Sequence, residues 1–293
     1  MKRQKIPKRL IELSLTGATL SPEHCAILRT LLIRLGIPSQ NIAERSQDGH
    51  SGVLTFIPSR AEAQALKKRL EGLRLKKIAV RLTVLDRPDW QEKWKRDFSP
   101  FALTRHLDVV PVWRKKNYQP DPGREPILLD TITAFGTGLH DTTRFMSLFI
   151  ERCSGQFESF LDVGTGTGIL SLVALKSGAR FIAGIDIDAE CIPVARSNME
   201  RNGGRFAVLQ AVEVGRFHPQ RKFDYVAANL ISHDLIRFKR TLLALVNPKK
   251  FLAVSGIAPE NLAGVKNAFA RSSLRCLKIE RSPFWAALLY QKI

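Results

Sequence analysis

Between Phe160 and Asp186 the chain reads FLDVGTGTGILSLVALKSGARFIAGID. Glycines at 164, 166 and 168 alternate with threonines, an acid (Asp162) precedes them, and a second acid (Asp186) ends the next apolar run. Glycines at alternate positions permit a tight turn and let a ligand approach the backbone without meeting a Cβ. A carboxylate at Asp186 can accept hydrogen bonds from a pair of ribose hydroxyls. The chemistry these residues suit is the holding of a nucleotide.

Such a site needs a frame. Phe160 to Val163 reads as a buried parallel strand, Ile169 to Lys176 as a helix, and Phe181 to Ile185 as a second strand. The helix would direct free N–H groups and a positive dipole end at the ligand. Strand, glycine turn, helix, strand and acid make the nucleotide-binding half of a doubly wound sheet. A dinucleotide fingerprint requires a third small residue where this chain has Ile169, which disfavours a dinucleotide oxidoreductase. No Gly-Lys-Ser/Thr follows, so a P-loop is excluded. Gly-x-Gly-x-Gly preceded by Asp162 resembles the turn of methyltransferases that use S-adenosylmethionine.

Two more stretches carry chemistry. Thr133 to Arg144, TAFGTGLHDTTR, is a glycine turn leading into a helix that runs to about Arg152, with Asp141 or Thr142 as its cap. It precedes the Phe160 strand, so its backbone and hydroxyls can reach the same ligand. Phe223 to Leu230 is a fourth strand of the domain with Asn229 at its carboxyl end, the end at which open α/β sheets bind ligands. His140 is the nearest titratable group in sequence; a structural role is the plainer reading for it and for His233. Helices over Asp234–Val246 and Glu260–Ala270 alternate with strands over Phe251–Ser255 and Leu274–Ile279, and a final antiparallel strand is expected over Phe284–Tyr290.

In front of this domain the pattern is β-α-β-β-α-β over residues 1–85, a ferredoxin-like split βαβ unit. It contains no polar constellation that suggests chemistry. In residues 86–101, DRPDWQEKWKRDFSPF, the aromatics Trp90, Trp94, Phe98 and Phe101 recur at helical spacing. They predict an amphipathic helical linker that staples residues 1–85 to a domain over 102–293.

The chain has 293 residues with 46 Lys and Arg against 27 Asp and Glu, a formal charge of +19. The first 100 residues hold 20 of those bases against 10 acids, so the excess is spread along the chain and denser at the front. That balance suits polyanionic partners such as RNA or a ribonucleoprotein, although a solvated surface is the bland alternative. Cys25, Cys153, Cys191 and Cys276 are scattered, which argues against a metal site and for a reducing compartment. No apolar run is long enough for a bilayer, and the basic start lacks the apolar stretch of a secretory signal. A cytoplasmic protein, with no membrane partner and no metal, is expected.

Five segments in order resemble the PrmA family, the methyltransferases of ribosomal protein L11. They are DWQEKWKRDFSPF, AFGTGLHDTTR, LDVGTGTGIL, GIDID and VAANLIS, following the split βαβ unit. The resemblance covers nearly the whole chain. It implies a class I S-adenosylmethionine-dependent methyltransferase with a doubly wound seven-stranded sheet, preceded by a small ferredoxin-like α+β domain that recognises the substrate. It implies transfer of methyl groups to lysine or N-terminal amines of a ribosomal protein, with ribosome or RNA nearby.

By the same resemblance Thr143, Gly164, Gly166, Asp186 and Asn229 contact the cofactor, and Asn229 also stands at the methyl-transfer centre. Phe135, Gly136 and Thr137 lie in a loop expected to close over the cofactor. Leu139 and Asp141 replace a Thr and a Pro common in the family, and the tail after Asn229 also departs from it. An RNA methyltransferase and a catalytically idle ribosome-associated protein that binds S-adenosylmethionine are the competing readings.

Overall fold

A computed structural model describes residues 9–17, 20, 22–35, 37, 42–47, 50–57, 60–73, 75, 78–86, 98–130, 138–270 and 272–293. The chain divides into two compact units, Met1–Asp97 and Phe98–Ile293.

The first unit runs β1 (Arg9–Gly17), α1 (Pro22–Arg34), β2 (Ile42–Gln47), β3 (His50–Ile57), α2 (Arg60–Gly72) and β4 (Ala79–Asp86). Its four strands lie in the order β2-β3-β1-β4 with every neighbour antiparallel, the split βαβ topology. Period-two alternation on β1 sends Ile11, Leu13 and Leu15 to one face. Leu28 and Leu32 of α1 and Ala63, Leu66 and Leu70 of α2 cover that face, and these residues form one buried core. Gly52 is required where β3 passes β1, because a Cβ there would run into the Leu15 carbonyl.

The second unit opens with a three-stranded sheet, β5 (Phe101–Ala102), β6 (Leu107–Pro111) and β7 (Glu125–Leu129). The helical linker expected over 86–101 falls mostly outside the described residues, and only its last four residues can be compared with it. Phe98 to Pro100 have no regular structure and Phe101 is in a strand, while residues 87–97, with Trp90 and Trp94, lie outside the described residues. Phe98 is buried, with its ring 5.8 Å from Phe101 and 6.2 Å from Trp113. Burying those rings on the small sheet overrides the helical spacing. Asp108 on β6 receives Arg124 Nε at 2.8 Å and the Tyr118 hydroxyl at 2.5 Å, which fastens the loop between β6 and β7.

The main sheet is built from β8 (Ser159–Val163), β9 (Phe181–Asp186), β10 (Val208–Ala211), β11 (Phe223–Asn229), β12 (Val246–Ile257), β13 (Leu274–Arg281) and β14 (Ala286–Lys292). The helices between them are α3 (Asp141–Arg152), α4 (Ile169–Lys176), α5 (Cys191–Arg201), α6 (Ser232–Arg237), α7 (Lys239–Leu245) and α8 (Leu262–Ala270). The expected single helix over 234–246 is two, because Phe238 leaves helical geometry at φ −95° and ψ 9°.

Strand order is β10-β9-β8-β11-β12-β14-β13, with β14 antiparallel to both of its neighbours. This is the class I methyltransferase arrangement read from the sequence. The central strands β8 and β11 are covered on both faces, so they read as near-continuous apolar runs. In α4, Ile169 to Ala174 are all buried, which explains the lack of an amphipathic pattern there.

Candidate active site

The strand order reverses between β8 and β11, and the carboxyl ends of strands at such a switch point are where open α/β sheets form their ligand crevice. Gly164 follows β8 with φ +79°. A Cβ at that position would stand 3.2 Å from the Asn229 carbonyl oxygen and 3.2 Å from Leu230 Cδ2. The backbone conformation therefore calls for glycine, and a Cβ would also make both neighbours give by a few tenths of an ångström.

Asp186 ends β9 on the other side of the turn and is half-buried. Its Oδ2 accepts the Gly166 N–H at 2.9 Å and its Oδ1 accepts the Asp188 N–H at 3.0 Å. Each oxygen keeps a second acceptor position. The side chain is thus fixed by backbone donors while half of its hydrogen-bonding capacity is left for something else.

Asp162 is fully buried. Its Oδ2 receives the Ser171 hydroxyl at 2.7 Å, the Thr165 hydroxyl at 3.0 Å and the Ser171 N–H at 3.1 Å. Its Oδ1 has no partner among the described residues. Burial pushes the Asp162 carboxyl up to about 6, against the pull of the Ser171 and Thr165 donors and with a further push from Asp186. These bonds join the end of β8 to the turn and to the first turn of α4.

Asn198, fully buried on α5, holds the same turn from outside. It donates to the Thr167 carbonyl at 2.9 Å and to the Asp130 carbonyl at 3.0 Å, and accepts the Asp130 N–H at 2.8 Å. Asn202, one helical turn on, makes the same pair of bonds to the Leu128 N–H and carbonyl at 2.9 and 2.8 Å. Two asparagines thereby act as a short mock strand alongside β7.

The third wall is the start of α3. His140 is its N-cap, the place expected for Asp141 or Thr142, and its Nδ1 accepts from the Thr142 N–H at 3.4 Å. The Thr142 hydroxyl lies 2.7 Å from His140 Nδ1 and 3.3 Å from Asn229 Nδ2. With the amide donating to Thr142 Oγ1, the hydroxyl proton goes to His140 Nδ1, and the ring keeps its own proton on Nε2. Trp285, in the connection from β13 to β14, packs against His140 with ring centroids 5.0 Å apart. The run Asn229, Thr142, His140, Trp285 is continuous.

Gly166 is bonded to Asp186 and Gly164 lies against the Asn229 carbonyl, so these four residues are brought together at the carboxyl ends of β8, β9 and β11. Thr143 sits beside them on α3, buried, with its carbonyl receiving the Ser147 hydroxyl at 2.8 Å; the threonine that touches Asn229 is Thr142. Phe135, Gly136 and Thr137 lie outside the described residues. His233 is 79% exposed beside Asp234 and points to solvent. The sequence marks Thr142 only as a candidate cap in a loop whose hydroxyls can reach the ligand, and sequence reasoning misses Trp285 and Asn198. The first offers only a hydroxyl next to the expected residue, and the other two act across long sequence separations with no local signature.

Among the described residues no group of three or more His, Cys, Asp or Glu could hold a metal ion, and no helix is long and apolar enough to cross a membrane. The model of one protein family, ribosomal protein L11 methyltransferase (PrmA), matches residues 5–293. The chain belongs to the PrmA family. A ribosomal protein L11 methyltransferase from Geobacter metallireducens is 37% identical over 210 residues, 72% of this chain and 68% of that protein. One from an Exiguobacterium species is 30% identical over 86% of this chain and 83% of its own length. The crystal structure of a ribosomal protein L11 methylase from Lactobacillus delbrueckii subsp. bulgaricus superposes with a TM-score of 0.62 at 32% identity, covering 67% of this chain and 99% of that one.

Proposed function

We propose that this chain transfers methyl groups from S-adenosylmethionine to lysine or N-terminal amines of ribosomal protein L11. Family membership supports the reaction class and the donor. The observation that carries the residue-level reading is the placement of Asn229 at the switch point, with its carbonyl over Gly164 and its amide tied to Thr142.

S-adenosylmethionine supplies, when bound, a methyl group already activated on a sulfonium, so the protein's part is alignment and desolvation. The residues present fit it. Asp186 has one acceptor position left on each carboxylate oxygen, which matches the two hydroxyls of a ribose. The Gly164 turn leaves no side chain in the crevice, Gly166 is pinned by the same Asp186, and Thr143 on α3 flanks the pocket.

The acceptor must be a neutral amine. A lysine has an ordinary pKa of about 10.4, and a water-poor crevice lowers it by disfavouring the charged form. Asn229 Nδ2 is committed to Thr142, so Asn229 Oδ1 is the atom that accepts an amine N–H and aims the lone pair. An amide is no base at neutral pH, so the proton leaves to water. The first unit, centred on residues 1–85, recognises the protein substrate.

The deciding experiment is incubation with labelled S-adenosylmethionine and purified ribosomal proteins, then mass spectrometry of the product. Label on amines of ribosomal protein L11 is expected. Label in RNA, with none in protein, would overturn the reading in favour of an RNA methyltransferase. Deleting residues 1–85 should abolish protein methylation and leave donor binding intact; normal methylation by that truncation removes the recognition role.

A further inference from the structure

The methyl-transfer crevice uses the carboxyl ends of the strands and leaves the charge of +19 unexplained. The opposite edge of the same sheet is strongly basic. Arg180 precedes β9, Arg221 and Lys222 precede β11, and Lys249 and Lys250 precede the part of β12 that pairs with β11. Arg275 lies at the start of β13, and antiparallel β14 brings Lys292 to the same edge. At about 4.8 Å per strand, the row from β9 to β13 spans about 24 Å.

The row is contiguous. Arg275 Nη2 donates to Gln291 Oε1 at 2.7 Å, and Gln291 Nε2 donates to the Lys249 carbonyl at 3.0 Å. Lys292 caps the carbonyls of Leu243 and Val246 at 2.8 and 2.9 Å, and burial followed by the charge of Lys222 pulls its amine down. Lys250 reaches the Gln156 carbonyl at 2.6 Å. Arg180, Arg221, Lys222, Lys249 and Arg275 are exposed.

Opposing charge is scarce. The acidic side chains within two described residues of these strand ends are Glu158 and Asp224. Asp224 accepts from Asn247 Nδ2 at 3.0 Å and from the N–H groups of Glu158 and Ser159 at 3.1 and 3.4 Å, and it pairs with Lys250 at 3.9 Å, so Lys250 is the one cation of the row that it neutralises in part.

We propose that this amino-end edge is a docking surface for the phosphate backbone of RNA, which leaves the methyl-transfer crevice at the other end of the strands open. Several cations in a row of this length meet successive phosphates of one polyanion. The ring at this edge, Phe181, lies under Arg221 at 4.4 Å, so no open stacking platform is offered and recognition is of phosphates, not bases. A membrane surface would call for an apolar face beside the cations. Among the described large apolar side chains near these strand ends only Ile293 is strongly exposed.

The test is binding of the full chain to a fluorescent 30-base-pair RNA duplex of arbitrary sequence across a salt series. The wild type should show a steep negative slope of log K against log salt. The exposed pair R221A/K222A should reduce that slope by roughly 2, and adding K249A and R275A by roughly 4. Methylation of free ribosomal protein should be unchanged in all of them. A control pair elsewhere on the unit, R196A/R216A, should leave the slope alone. An equal loss in the control would overturn the proposal in favour of diffuse charge. Binding of anionic lipid vesicles or an acidic polypeptide in preference to the duplex would overturn it in favour of another partner. Failure of the wild type to bind the duplex at low salt would also overturn it.

Discussion

The ends of β8 and β9 each bring an aspartate to the same glycine turn, and the two are used in opposite ways. At the end of β8, Asp162 has lost all contact with solvent and gathers three donors on one oxygen. At the end of β9, Asp186 is half-exposed, and its two donors are shared between its two oxygens. The first carboxylate builds the turn, and its proton affinity is set by burial. The second is itself positioned by the turn and presents spare acceptors outward. Two acids of one type, on either side of one glycine turn, are thereby separated by where their lone pairs point, one inward as scaffold and one outward with acceptors to spare.

The largest expected effect comes from the outward acid. Asp186→Ala removes the two charged acceptors proposed for ribose hydroxyls, each worth about 1.5–3 kcal/mol. Donor affinity should fall by about 4 kcal/mol, nearly a thousandfold, while the thermal midpoint moves little. Titration calorimetry with S-adenosylmethionine checks this, and an unchanged affinity would remove Asp186 from the contact side of the comparison.

The inward acid should reveal itself through pH. The folded state binds the Asp162 proton with a pKa of about 6, above the ordinary 3.8. Folding therefore favours the protonated form, and stability from this group is fully present below pH 4 and is lost as pH rises to 6. At 1.36 kcal/mol per unit the loss is about 3 kcal/mol. Asp162→Asn cannot ionise, so the stability of the wild type relative to this variant should decline across pH 4–6 in urea denaturation. A difference that stays flat with pH would mean Asp162 is not held as a buried acid.

Much of this architecture was legible in the sequence, because periodicity and punctuation mark it. The glycine turn, the acid ending β9 and the Asn ending β11 fall where a doubly wound sheet binds ligands, and the split βαβ pattern of the first unit carries its own alternation. What escaped was contact made across long loops by side chains with no periodic signal. Asn198 reaches back to Asp130, and Trp285 reaches His140 from the far hairpin. Phe98 and Phe101 kept helical spacing while folding onto a sheet, since tertiary burial outweighs a short local pattern. Asn198 tests how far such a hidden tie matters to the β8 side. Asn198→Ala leaves two carbonyls and one N–H without their partner, at about 1 kcal/mol each less what water restores, so a loss of about 2 kcal/mol is expected. Donor affinity should weaken with it, because the Thr167 carbonyl is one of the groups released. Lost stability with intact affinity would show that the turn holds its shape through Asp162 alone.

The smallest effect should belong to Thr142, which touches neither acid. Its hydroxyl receives the Asn229 amide and passes its own proton to His140, so it fixes which atom of Asn229 faces the crevice. Thr142→Val keeps the shape of this buried residue and removes that link. Asn229 is then free to rotate its amide, and the acceptor oxygen points at the amine only part of the time. An orientation held by one neutral hydrogen bond is worth about 1 kcal/mol, so kcat should fall by about fivefold to tenfold. Donor affinity should not follow, since the ribose contact proposed for Asp186 lies at the end of β9. A matched fall in donor affinity would instead join α3 to the donor pocket, and the division between turn-building and ligand-facing groups would have to be drawn through Thr142 as well.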